Sequence, residues 1–391
     1  MGPQKYHING IDQLNRTQNR AISQKLSRCP FCVSRQPGAY SYFCVMSEEE
    51  KSIESLGEFG LIKHLTSFIE LSQPSTELGV GDDAAVIKTS NDERIVISTD
   101  MLVEGVHFDL SYVPLKHLGY KAVVVNLSDI CAMNARPEQL LVSLAISNKF
   151  PLEAIEELYS GMLAACHIYG VDLVGGDTTG SRSGLSISIT AVGHAAPEKI
   201  VKRSGAGVND LLMVSGDLGA AYMGLQVLQR EKEVFMAAPG ATPKLEGYDY
   251  LLERQLKPEA RKDVIELLSS LSVVPTSMID ISDGLASELL HLCEASGLGC
   301  DLFEEKIPID SLTYKTARDF NLDPTLCTLS GGEDYELLFT INQNDYEKVK
   351  DHPLLTAIGY MKEVAAGRNL ITKNGNATAL TAQGWDGLAK Q

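Results

Sequence analysis

Apolar positions along this chain fall into two rhythms. Between Leu56 and Leu71 they recur at 59, 61, 62, 65, 68 and 69, a helical period. Ala84 to Ile87 and Ile95 to Ser98 are short apolar runs joined by the polar turn Ser90-Asn91-Asp92, which predicts two strands. Lys116 to Ala135 carries both signals: its valines favour a strand, its length and alanines a helix. If it is helical, Asn126 and Asp129 share a face. Pro151 to Tyr169 has helical spacing, with Pro151 suited to the first turn. Leu173-Val174 and the alternating Leu185 to Val192 read as strands.

The mixture continues downstream. Leu211 to Ser215 predicts a strand, followed by the turn Gly216 to Gly219 and a helix to about Gln229. Residues 231 to 250 read as an irregular insertion, and Pro258 to Leu271 as a helix. Met278 to Ile281 is a strand, after which Ser282 or Asp283 caps a helix from Leu285 to Ser296. Glu336 to Ile341 is a strand behind the loop Ser330-Gly-Gly-Glu-Asp334. Together these elements predict an α/β (α+β) protein of two lobes, over residues 46–195 and 196–391. Residues 1–45 are polar and without sustained periodicity; they read as a disordered extension or a mis-called start, with Met46 a candidate initiator.

Acidic residues recur at the ends of the apolar runs. Ile95-Val-Ile-Ser-Thr-Asp100, Val123 to Asp129, Val171 to Asp177 and Met278 to Asp283 each end in a carboxylate, and Gly81-Asp82-Asp83-Ala84 precedes another run. A single such Asp is ordinarily a turn or cap residue. Five acidic points brought together would repel one another unless hard cations sat between them, and oxygen-only sites suit Mg²⁺ bridging to phosphates.

Composition narrows the choice. A net charge of −17 argues against nucleic acid as a partner. No apolar run approaches the roughly 18 residues of a membrane span, and Met1 to Arg28 lacks a signal-peptide core, so a cytoplasmic location is expected. The eight cysteines fit a reducing compartment. Cys29-Pro-Phe-Cys32 has zinc-knuckle spacing, with Cys44 a conceivable third ligand and no evident fourth.

The Walker loop, the kinase glycine loop, G-x-S-x-G and H-E-x-x-H are absent. Glycine-rich approaches remain at Gly175-Gly-Asp-Thr-Thr-Gly180, Gly205-Ala-Gly207 and Gly331-Gly332, where backbone amides can meet phosphate oxygens. Each alone is more often a turn.

In order, Gly79-Val-Gly-Asp-Asp-Ala-Ala, Ile97-Ser-Thr-Asp100, Gly105-Val-His-Phe108, Asn126-Leu-Ser-Asp129, Gly175-Gly-Asp-Thr178, Asp280-Ile-Ser-Asp-Gly284 and Ser330-Gly-Gly-Glu-Asp-Tyr-Glu-Leu337 closely resemble the thiamine-monophosphate kinase family. The resemblance runs from about Gly57 to Asp386. It implies the superfamily of aminoimidazole ribotide synthetase. In that fold the mixed sheet of the N-terminal lobe pairs across a homodimer into a barrel, beside a C-terminal α/β lobe. It also implies a helix around Asn126 to Asp129, and ATP with several Mg²⁺ ions in the cleft.

By match to the family's motifs, Asp83, Ser98, Thr99, Asp100, Asp129, Asp177, Asp280 and Asp283 are expected metal ligands, with Asp100, Asp129 and Asp283 central to catalysis. Gly176, Asp177, Arg203 and Ser282 are expected at the nucleotide, and His107, Glu333 and Trp385 at thiamine monophosphate. The acceptor is a phosphate monoester already ionised at neutral pH, so direct in-line transfer without a general base or phospho-enzyme is expected, giving thiamine diphosphate. The rival readings are another synthetase of the superfamily, a non-catalytic nucleotide and metal sensor, and a metal-dependent phosphohydrolase. A selenophosphate synthetase would be expected to carry a reactive Cys beside the first glycine-rich loop; Cys29 and Cys32 lie far upstream.

Overall fold

A computed structural model describes residues 71–382 apart from 90, 91, 239 and 241, together with 60, 62, 63, 66, 67 and 69. The cysteines of the zinc reading, Trp385, most of the helix expected from Leu56 and part of the turn at Ser90 lie outside the described residues.

The first lobe is a mixed sheet of β1 (Thr76–Leu78), β2 (Ala85–Lys88), β3 (Arg94–Val103), β4 (Arg136–Ser147), β5 (Asp172–Ser181) and β6 (Leu185–Ala195), in the order β1-β2-β3-β6-β4-β5. Only the β4–β5 pair is parallel. On β6 the alternation Leu185, Ile187, Ile189, Ala191 turns one face toward α1 (Leu115–Ala132) and α2 (Leu152–Tyr169). The other face is open: Thr99, Met101, Leu141, Ser143 and Asp177 are all exposed.

Helix α1 is buried almost all round, from Leu118 to Ala132, which explains why its sequence lacks amphipathic periodicity. It crosses α2 at a pair of glycines. A Cβ on Gly119 would stand 1.9 Å from the Leu158 carbonyl oxygen, and one on Gly161 would stand 1.8 Å from that of Lys116. The two backbones touch there, and no side chain fits.

The second lobe holds β7 (Leu211–Ser215), β8 (Ser277–Asp280), β9 (Leu298–Phe303), β10 (Leu337–Ile341), β11 (Leu355–Glu363), β12 (Arg368–Ile371) and β13 (Ala377–Ala379), in the order β13-β12-β9-β11-β7-β10-β8. One face, through Met213, Met278 and Phe339, continues the core of the first lobe. The other packs Val214, Ile279 and Leu338 against the helix Leu285–Ser296. Helix α1 therefore stands at the junction of the lobes and touches β8.

Several expectations are corrected. The helix after Gly219, α3 (Ala220–Ala237), continues through residues read as irregular, and α4 (Asp249–Leu256) follows. Glu233 to Ala237 are all exposed, and the consecutive apolar residues Val234, Phe235 and Met236 give no one-sided period that would mark a helix. The helix expected from Pro258 is α5 (Lys262–Ser270), because the Ala260 N–H donates to the Tyr169 hydroxyl at 2.9 Å instead of entering a helical turn. Helix α6 (Leu285–Ser296) has Gly284 at its N-cap with no side-chain cap, so neither Ser282 nor Asp283 plays that part. Pro151 is likewise the N-cap of α2, not its first residue. Asp100 and Asp177, expected where apolar runs end, lie within strands that continue past them, and Asp129 lies within a helix. Among the described residues no helix is long and apolar enough to cross a membrane.

Candidate active site

Three carboxylates from distant parts of the chain meet where the lobes join. Asp83 precedes β2, Asp129 lies on α1 and Asp280 ends β8; one oxygen of each lies within 4.8 Å of the others. Neighbouring donors orient them. The Ser98 hydroxyl, from β3, donates to Asp129 Oδ2 at 2.5 Å, and Ser128, on α1, donates to Asp280 Oδ2 at 2.6 Å. Arg203 donates to Asp83 Oδ1 from Nη2 at 2.5 Å and from Nε at 3.2 Å. Asp82 accepts the backbone N–H of Arg203 at 3.2 Å and that of Asp83 at 3.0 Å, which fixes the turn. On β3 the Asp100 N–H donates to Asn126 Oδ1 at 3.0 Å, and Asn126 is anchored to the Ala122 carbonyl at 2.9 Å.

Electrostatics make this bed costly when it holds only carboxylates. Burial and the neighbouring charges of Asp100, Asp280 and Asp83 push Asp129 well above the usual carboxylate range. Burial, then Asp83, pushes Asp280 up to about 7. Burial also raises Asp83 against the opposing pull of Arg203. Asp83 Oδ2 is buried without a hydrogen-bond partner. An orphaned oxygen beside two more carboxylates is an oxygen-only donor set of the kind that takes a hard divalent cation, so these residues fit Mg²⁺.

Next to the bed opens a cavity of about 930 Å³, whose lining includes Asp100, Ser282, Asp283, His107, Lys121 and Glu333. His107 Nδ1 accepts the Val103 N–H at 3.0 Å, which sets the ring. The Glu333 loop is strained: Glu333 and Tyr335 have φ of 67° and 52°, where non-glycine residues are uncommon. It is held by Glu333 N–H donating to the Ser282 carbonyl at 2.7 Å and Tyr335 N–H to that of Ile281 at 2.9 Å. A Cβ on Gly332 would stand 2.3 Å from the same Ser282 oxygen. The two loops expected to serve nucleotide and acceptor are thus one hydrogen-bonded unit.

The expected residues do not all converge. Asp83, Asp129 and Asp280 form the cluster, with Asp100 close enough to perturb the last two. Asp283 and Ser282 face the cavity; Asp283 lends its N–H to Glu288 Oε1 at 3.1 Å. Ser98 serves as a hydrogen-bond donor to a cluster member. Thr99 lies on the open face, donating to the Ile189 carbonyl at 3.0 Å. Gly176 and Asp177 sit on the edge strand β5, outside the cavity. The register aligns Met101 with Ser188, Ser188 with Ser143 and Ser143 with Asp177, which puts Asp177 on the open face. Two lining residues, Lys121 and Gln255, went unmarked in the sequence. A lysine in the run Lys121-Ala-Val-Val-Val, on a helix too apolar to expose it, was the available signal.

Residues 81–195 match the model of the family described as AIR synthase related protein, N-terminal domain. Fold and carboxylate bed thus define a protein of the AIR synthase-related class. Over 336 residues the chain is 32% identical to thiamine-monophosphate kinase of Bacillus subtilis, covering 85% of this chain and 99% of the relative. To that of Escherichia coli K12 it is 34% identical over 342 residues, covering 85% and 98%. A solved structure, AaThiL complexed with AMPPCP and TMP, matches with a TM-score of 0.73 at 31% identity, over 87% of this chain and 99% of that one. The chain belongs to the thiamine-monophosphate kinase family.

Proposed function

We infer that this protein transfers the γ-phosphate of ATP to thiamine monophosphate, giving thiamine diphosphate and ADP. The observation that carries the reading is the carboxylate bed of Asp83, Asp129 and Asp280 beside a cavity large enough for the acceptor. Family membership supplies the substrates, and the relative described with AMPPCP and TMP agrees with them.

Asp83, Asp129 and Asp280, with Asp100 and Asp283 adjoining, would hold Mg²⁺. When bound, such ions offset the repulsion between two phosphate anions, about 4 kcal/mol per unit-charge pair at 4 Å and an effective dielectric of 20. The protein's own groups supply position. Ser98 and Ser128 fix the carboxylate planes, Arg203 offsets part of the negative charge, and the zipped loops keep the Ser282 and Glu333 positions at a constant separation. His107, Glu333 and Trp385 are assigned to the acceptor; Gly176, Asp177, Arg203 and Ser282 to the nucleotide. The acceptor oxygen is already ionised at neutral pH, so no side chain has to remove a proton from it. Transfer is direct, and a kinetically competent phosphoprotein would overturn that.

We also propose that the protein works as a homodimer whose open sheet faces form a barrel. Thr99 on β3 and Asp177 on β5 both lie on that face, with β6 and β4 between them. Three strand spacings amount to about 14 Å, beyond the reach of one ion. If both serve the same ion, Asp177 must come from a second copy.

The test is incubation with ATP, Mg²⁺ and thiamine monophosphate, with chromatographic detection of thiamine diphosphate. ADP release should depend on the acceptor. Release without it would favour a phosphohydrolase, and no release at all a nucleotide sensor.

A further inference from the structure

We infer that Lys121 and Gln255 are positioning residues that hold the Glu333 carboxylate in its cavity-facing orientation, and that binding of the acceptor depends on them through Glu333. The inference rests on the reading of the cavity as the thiamine monophosphate site.

Lys121 is only 6% exposed, and a buried ammonium is costly unless it is paired. Its Nζ lies 2.8 Å from Glu333 Oε1 and donates to the Gln255 carbonyl at 3.0 Å. Gln255, on α4 and 5% exposed, donates from Nε2 to Glu333 Oε2 at 2.7 Å. Each carboxylate oxygen therefore has one fixed donor, which sets the plane of the group. An ionised carboxylate accepts on about four lone-pair sites, so acceptor capacity remains on both oxygens. The Glu333 side chain is 27% exposed and lines the cavity, as do Lys121 and Gln255. Its backbone is pinned independently, at positive φ and through the Ser282 carbonyl.

The charge balance adds to this. Lys121 cancels the formal charge of Glu333, so the pair offers the ligand hydrogen-bond acceptors of fixed direction instead of a loose anion. A ligand group that donates hydrogen bonds is matched to it; a second carboxylate or phosphate is not. The same contacts also join α1 to the second lobe, so a purely structural strut is the competing reading.

A double-mutant cycle separates the two. Lys121→Met should raise the KM for thiamine monophosphate at least about tenfold while the KM for ATP stays within about twofold. Lys121→Arg should recover part of the loss. In a Glu333→Gln background, Lys121→Met should change the acceptor KM by less than about twofold, because the group it acts through is already altered. Effects that multiply across the cycle, or a loss that falls equally on the ATP KM, would overturn the inference in favour of a strut. Should Lys121→Met fail to fold, Gln255→Met in the same cycle gives the same comparison through the other oxygen. Failure of the wild-type protein to make thiamine diphosphate would sink the functional reading itself; an active wild type with additive variants would sink only this inference.

Discussion

Asp280 and Asp177 are the same residue in opposite settings. Asp280 ends β8, an edge strand of the second sheet that is nonetheless wholly buried; it lies against Asp83 and Asp129 and is pushed up to about 7 by burial and by Asp83. Asp177 also lies on an edge strand, β5, but one whose residues are almost all exposed. One carboxylate is placed where water cannot stabilise its charge, so it needs a proton or a cation. The other faces solvent until something covers the strand. The contrast teaches that a motif ending in Asp states what can be liganded, while the fold decides whether a single chain assembles the ligands.

The strongest way to break the contrast is to remove one buried carboxylate. Asp129→Asn and Asp280→Asn should each lower thiamine diphosphate formation by at least about a thousandfold, since metal-ion stabilisation is worth several kcal/mol. The metal-free fold should survive, because one of three mutually repelling groups has gone; near-normal turnover in both variants would reject the bed. Asp177→Asn sharpens the comparison. It should be inactive alone, yet mixing it with Asp129→Asn under subunit exchange should restore about a quarter of wild-type activity, since half the dimers would carry one intact site of two. No recovery on mixing, with exchange verified by mass, would remove Asp177 from any shared site.

A smaller effect concerns pH. The folded-state value of Asp280 lies above its ordinary 3.8, so between those limits the folded chain holds a proton that the unfolded chain releases. Its contribution to stability is complete below the ordinary value and is lost as pH rises toward about 7. Metal-free protein should therefore melt lower as pH increases through that window. Mg²⁺ should raise Tm by a few degrees more at about pH 7.5 than at about pH 5.5. Equal stabilisation at both would show that these carboxylates are not the ones binding. The smallest change is expected at Glu288, 2% exposed, whose carboxyl burial pushes well above the usual range, with Asp283 adding to it. Glu288→Gln mimics the protonated form and should alter stability by less than about 0.5 kcal/mol. Glu288→Ala, which strips the acceptor from the Asp283 N–H, should cost about 2 kcal/mol in a denaturant titration.

Much of this is legible in the sequence, because carboxylates flanked by glycine recur at spacings a family resemblance can recognise. Strands such as β7 and the helix Leu285–Ser296 follow from their apolar periods alone. The period fails where burial is complete or absent: α1 is enclosed almost all round, and the last turn of α3, Glu233 to Ala237, is exposed throughout. The long strand β4 carries no clean signal, since Pro137 sits at its start and its outward positions mix Leu141 with Ser143. Lys121 and Gln255 were invisible for another reason. Each matters only through a partner far away in the chain, 212 and 78 positions from Glu333, and no local rule pairs them.

The touching glycines Gly119 and Gly161 lie away from the chemistry, yet α1 carries Lys121, Asn126, Ser128 and Asp129 on the segment they seat. A single added methyl at either crossing point would have to pry the helix pair apart and carry the carboxylate bed with it. The tolerance of the reaction to error is therefore set partly by two hydrogen atoms on a neighbouring surface, and alanine at either position should register in both the melting curve and the assay.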